Sequence, residues 1–140
     1  MWHPTFEKRL ESWTQLRTYC SGVDAATAVT AIDTWWQQTP WQPYYLHWDD
    51  QPDWPDPWQL LNDNIFCSLA RGLGILYTIT ILDHPDLQDA CLVEVGGDNL
   101  VLVQGGKYIL NWPSSEMLNT NLEAKTHRQL TQHQIAQQYT

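Results

Sequence analysis

Residues 56–82 read DPWQLLNDNIFCSLARGLGILYTITIL, and the fold turns on how they are parsed. Pro57 suits the first position of a helix, and Asp56 before it is a good cap. Trp58, Leu60 and Leu61 supply an apolar face. Asn62-Asp63-Asn64 then interrupts the pattern and offers a second cap. Ile65, Phe66, Leu69, Ala70 and Leu73 resume at helical spacing, with Gly74 as a natural C-terminal residue. This parse puts Cys67 in the first turn of a second helical piece. From Ile75 to Leu82 the residues are apolar and rich in β-branches, which predicts a buried strand.

Working outward toward the C-terminus, Asp83-His84-Pro85-Asp86 reads as a turn or loop. Cys91 to Val95 reads as a strand, Gly96-Gly97-Asp98-Asn99 as a hairpin turn, and Leu100 to Val103 as the next strand. Gly105-Gly106 turns again before a strand over Lys107 to Trp112. Short glycine turns between three or four strands predict an antiparallel meander. Toward the N-terminus, Phe6, Leu10, Trp13, Leu16 and Cys20 form one helical stripe, with Thr5 as cap and Gly22 as stop. A second helix starts at Asp24, runs through Ala25, Ala28, Val29, Ile32 and Trp36, and must end before Pro40. The short join predicts a helical hairpin.

Between these parts lies TPWQPYYLHWDDQPDWPDP, residues 39–57. Prolines at 40, 43, 52, 55 and 57 exclude a regular helix and a central strand. A long ordered loop pinned by its aromatic rings is expected, and loops of this kind are often functional. Residues 116–140 are more polar, and Thr131 with Gln134 fits a capping box for a short helix ending near Tyr139. Helices first and strands after give an α+β domain over residues 1–115, followed by a polar tail.

The composition agrees with one domain and narrows the partners. The chain has 140 residues, 43% of them apolar and 16% charged, so it can build a core. Seven Lys+Arg stand against sixteen Asp+Glu, a net charge of −9. Scattered cations on an acidic chain argue against nucleic acid and against an anionic membrane surface. The longest apolar run, Leu73 to Leu82, is too short to span a bilayer. Met1-Trp2-His3-Pro4 has neither the basic nor the apolar part of a secretory signal. The three cysteines, Cys20, Cys67 and Cys91, are odd in number and widely spaced, against a disulfide framework or a zinc site. Reduced thiols and a cytoplasmic location are expected, or a place within a virion assembled in the cytoplasm.

Three groups of residues carry chemistry. A thiol at a helix N-terminus feels the positive end of the helix dipole, which makes Cys67 the candidate nucleophile. It needs a base, and His84 and His47 are the loop histidines that a fold could bring to it. Asp49, Asp50, Asp53 and Asp56 are the second group. They lack the glycine and terminal glutamate of a calcium loop, and the neighbouring prolines limit wrapping, so no metal is expected. The third is the aromatic set Trp41, Tyr44, Tyr45, Trp48 and Trp54, residues suited to stacking on a protein partner or a sugar. No phosphate-binding glycine loop is present, and no cofactor is expected.

DPWQLLNDNIFCSLARGLGI (56–75) and ACLVEVGGDNLVLVQGGKYILNW (90–112) together resemble the transglutaminase-like and papain-like cysteine enzymes. The first segment is similar to the helix that carries the family's nucleophile, with an upstream Trp and a following "xxLARxLGI". The second is similar to its histidine-bearing strand, turn and third-residue strand. The resemblance implies an α+β fold, Cys67 in the nucleophile's place and Asn111 in the orienting place. Ile65 and Phe66 stand where the family usually has Gly-Asp, and Ala90 stands in the histidine's place. It therefore implies a non-catalytic relative; for a small, acidic, cofactor-free, tryptophan-rich chain of this kind an interaction or structural role is expected, such as a component or accessory of a phage particle. The aromatic loop and polar tail would be its contact surfaces, and a protein partner or oligomeric assembly its context. Two other readings stay open: a cysteine amidase or peptidase using Cys67 with His84 or His47 and Asn111, and a carbohydrate-binding module using the tryptophan loop.

Overall fold

A computed structural model describes residues 2–43, 45–112 and 126–138 of the chain. Helix α1 spans Phe6–Ser21 and α2 spans Ala25–Gln37, forming the expected helical hairpin. Thr5 Oγ1 accepts from Lys8 N, and Asp24 Oδ1 accepts from Thr27 N, so both helices start where their caps predict. The proline-rich loop follows, with one 3-10 helix over Trp48–Asp53. Helix α3 is Pro57–Asp63, with a capping box between Asp56 and Gln59 and a left-handed Asn64 at its end. Helix α4 is Ser68–Leu82, and Cys67 is its N-cap.

The strand expected over Ile75–Leu82 is helix instead. Every residue from Gly72 to Ile79 is buried, so α4 lacks the polar face that would reveal a helical period. Its threonines bond within the helix: Thr78 and Thr80 donate to the carbonyls of Gly74 and Leu76, both at 2.7 Å. Gly74 does not stop the helix. A Cβ there would lie 2.4 Å from the Trp36 ring, so its glycine lets α2 and α4 approach closely.

Four antiparallel strands make one sheet in the order β3-β2-β1-β4. Strand β1 is Cys91–Val95, β2 is Asp98–Val103, β3 is Tyr108–Leu110 and β4 is Thr126–Thr131. Val95 pairs with Asp98 across Gly96 and Gly97, whose φ values of 58° and 89° suit the tight hairpin turn. Leu130, Leu92, Val101 and Leu110 sit opposite one another across the strands. All four are buried in the main core, to which α4 contributes Leu73, Ile75, Leu76 and Ile79. Val93, Val95 and Leu100 form a second, smaller apolar cluster.

Part of the polar tail is structural. Strand β4 pairs with β1 and makes β1 an interior strand. Helix α5, Gln132–Gln138, follows with the expected capping box: Gln134 N donates to Thr131 Oγ1 and Thr131 N to Gln134 Oε1. Gln132 is buried and ties this corner together, accepting from Ala90 N and donating to Leu87 O. Residues 116–125 of the tail, and Tyr139, lie outside the described residues. Among the described residues, no helix is long and apolar enough to cross a membrane.

Candidate functional site: an aromatic cleft floored by Cys67

The residues before Cys67 anchor the proline-rich loop to α4. Trp41 bridges to Phe66 in parallel, and Gln42 N donates to Phe66 O at 2.8 Å. Leu46 N then donates to Cys67 Sγ at 3.4 Å, and Ala70 N reaches the same sulfur at 3.5 Å. Farther on, Trp48 is buried against the sheet and donates its indole N–H to Asn99 Oδ1 at 2.8 Å. Trp54 stacks edge-on against Trp48 at 5.2 Å and donates to His47 O. Asp49 pairs with Arg128 of β4 at 3.0 Å, and Arg128 also reaches Glu94 of β1 at 3.7 Å. The loop therefore spans from the start of α4 to the β1–β2 hairpin.

It encloses a cleft of about 590 Å³. Trp41, Pro43, Leu46 and His47 form one side, and Cys67, Ser68 and Leu69 lie at the head of α4. Glu94, Asp98, Asn99 and Arg128 face them from the sheet. Cys67 is only 4% exposed, whereas Trp41 is 56% exposed. The Arg71 guanidinium lies 5.0 Å from the Trp41 ring centre and is held by Thr39 through its hydroxyl and carbonyl oxygens. Burial lowers the Arg71 pKa, and nearby Cys67 opposes that shift.

Of the expected catalytic residues, the structure brings only His47 to the Cys67 cleft. His84 sits past the other end of α4, a helix of 15 residues and so about 22 Å long. It is buried there, accepting from Asp86 N at 3.0 Å through Nδ1 while Nε2 faces Val23 O at 2.8 Å. An accepting Nδ1 leaves the proton on Nε2, so both ring nitrogens are used. Asn111 is also committed. Its Nδ2 donates to Ser68 O and Asn99 O, and its Oδ1 accepts from Gln37 Nε2. It ties the head of α4 to β2 and α2, in a left-handed conformation with φ of 63°. Ala90 lies just before β1, at the end away from the Gly96–Gly97 turn, bonded to Gln132.

The aromatic candidates divide. Trp41 faces solvent, Trp48 is core, and Trp54 is half-buried against it. Tyr45 is half-buried and donates to Asp63 Oδ2 at 2.8 Å. Burial, then that bond and charge, push its phenol up to about 12. Tyr44 lies outside the described residues. Asp56 is the cap of α3, as expected. The other cysteines are remote and unbridged: Cys20 is buried between α1 and α2 with Sγ 3.7 Å from Ala28 O, and Cys91 starts β1.

Sequence reasoning missed Asn99, Glu94 and Arg128. Asn99 reads as a turn residue, Glu94 as an ordinary strand position and Arg128 as part of a polar tail. Their role depends on β4 returning beside β1, which no local pattern announces. No protein-family model, curated protein or solved structure matches the chain. The fold and site together define an α+β chain with an aromatic cleft at the head of its central helix.

Proposed function

We propose that the protein is a non-catalytic interaction protein that holds a segment of a partner in the Cys67 cleft. One contrast carries the reading: an exposed Trp41 marks the mouth of a preformed cleft, while two of the three groups that would activate Cys67, His84 and Asn111, are employed elsewhere and His47 alone shares the cleft. His84 and Asn111 spend their hydrogen-bonding groups on the fold. A solvent-facing tryptophan beside a half-apolar hollow is a common form of binding hot spot. Assembly into a larger particle, such as a phage, is the setting this reading suits.

The test is selection of displayed peptides on the full chain, followed by counter-screening on variants. Selected peptides should lose about tenfold or more in affinity on Trp41→Ala, the size of a hot-spot loss. They should keep their affinity on Cys67→Ser. Failure to enrich any peptide, or amide hydrolysis that disappears in Cys67→Ser, overturns the reading.

The enzyme reading has one observation in its favour. Cys67 caps α4 with two backbone N–H groups aimed at its sulfur, and His47 lines the same cleft. Hydrolysis of a peptide amide that is lost in both Cys67→Ser and His47→Gln would establish it. For a carbohydrate module the loop offers less, since Trp48 is buried and Trp54 is packed on it.

A further inference from the structure

The geometry points to a basic peptide segment, with cationic and apolar side chains in alternation, as the occupant of this cleft; the inference rests on the binding reading above. Leu46 and His47 are a shared wall. On their other side lies a second hollow of about 460 Å³, bounded by Trp54 and by Asp50, Asp53 and Asp63. The two hollows are neighbours that share Leu46 and His47.

Charge decides what fits. The first hollow is lined by the carboxylates of Asp49, Glu94 and Asp98, and the second by those of Asp50, Asp53 and Asp63. Against them the linings hold one guanidinium, Arg128, which Asp49 and Glu94 already engage. Asp50, Asp53 and Asp98 are exposed and make no ion pair among the described residues. A cation entering here meets an excess of negative charge, reinforced by a chain of net charge −9. The Trp54 ring offers a cation-attracting face, and Trp41, whose ring already carries the Arg71 guanidinium, offers apolar contact. Leu46 and Leu69 offer an apolar lining for the intervening side chains. An acidic or phosphorylated segment would meet the same field as repulsion.

The test uses the full chain and two blocked eight-residue peptides, one alternating Lys and Leu and one alternating Glu and Leu, with tryptophan fluorescence as the readout. The Lys/Leu peptide should bind, and the Glu/Leu peptide should not. Binding should weaken about tenfold between 0.1 and 1 M salt, where the screening length falls from about 10 Å to about 3 Å. Asp50→Asn with Asp53→Asn should weaken it severalfold. Glu7→Gln with Glu11→Gln removes the same charge from exposed sites on α1 and should leave it nearly unchanged. Equal weakening by the two double variants would mean attraction to net charge alone and would overturn the inference. Equal binding of both peptides, lost in Trp41→Ala, would overturn the cation preference and leave the binding reading standing. Binding of neither peptide, with no enrichment in the peptide selection, would remove both.

Discussion

Thr78 Oγ1 accepts from the indole N–H groups of Trp13 and Trp36, each at 2.9 Å, and donates to Gly74 O at 2.7 Å. One hydroxyl therefore satisfies two buried tryptophans and leaves α4 helical. The Trp36 ring also crowds Gly74. Alanine would gain about 1 kcal/mol of helix propensity. Its Cβ, however, would meet a Trp36 ring that is 1% exposed and hemmed in by Trp35 and Phe66. Overpacking of this kind costs about 1–3 kcal/mol, so Gly74→Ala should be a net loss in urea unfolding. Cys20 supplies a prediction in pH. Burial raises its thiol from 9.0 to about 11. Below pH 9 both folded and unfolded chains hold the proton, and the stabilising effect of that shared state is whole. As pH rises toward 11 the unfolded chain ionises first, so stability falls, by an order of about 2–3 kcal/mol when the shift is complete. Unfolding free energies between pH 8 and 11 should fall less steeply in Cys20→Ala than in the wild-type chain.

At the scale of elements, the proline-rich loop and α4 are one device. The aromatic spacing already points to a pinned loop, and the pins are Trp48 on Asn99, Trp54 on Trp48 and Asp49 on Arg128. The ion pair is exposed and contributes little, within about 1 kcal/mol. The buried indole bond matters more. Trp48→Phe keeps an aromatic ring but shrinks it and leaves Asn99 Oδ1 without its donor, at a cost of about 1–3 kcal/mol for the lost bond, to which the void adds. Hydrogen exchange should then quicken at Leu46 and Trp54 amides, with α1 and α2 unchanged. Unchanged loop exchange would show that Trp48 does not hold the cleft. Helix α4 itself was half legible. Its start is misplaced in the sequence, which offers Asn62-Asp63-Asn64 as the cap, whereas Asn64 closes α3 and Cys67 itself caps α4; its second half is apolar on every side, so propensity alone assigns Ile75–Leu82 to a strand. Tertiary burial outweighed the β-branched preference there.

At the scale of the molecule, the sheet closes only when the chain's last part returns. Three strands and their glycine turns are legible because hairpin neighbours are close in sequence. Strand β4 is not, since THRQLT has no apolar alternation to mark it. Ending the chain at residue 115 would strip β1 of a partner, remove buried Leu130 and Ile135, and free Ala90 N and Leu87 O of Gln132. The truncated chain should lose cooperative thermal unfolding, whereas a tail that merely hangs from the domain would leave the transition intact. The candidate site was legible in the same uneven way. Cys67, His47 and Trp41 stand out by type, while Asn99, Glu94 and Arg128 join them only through long-range pairing. His84 stood out by type as well, yet α4 carries it to the opposite end of the core.

The central claim is that the cleft at the head of α4 binds a peptide and does not cut it. The most direct measurement is an amide and indole NMR titration of the full chain with the Lys/Leu peptide, followed over a day. Shifts concentrated at Trp41, His47, Trp48 and Asn99, with the peptide recovered whole, are the expected result. Shifts confined to α1 and α2, or a peptide cleaved by the wild-type chain and spared by Cys67→Ser, would contradict it.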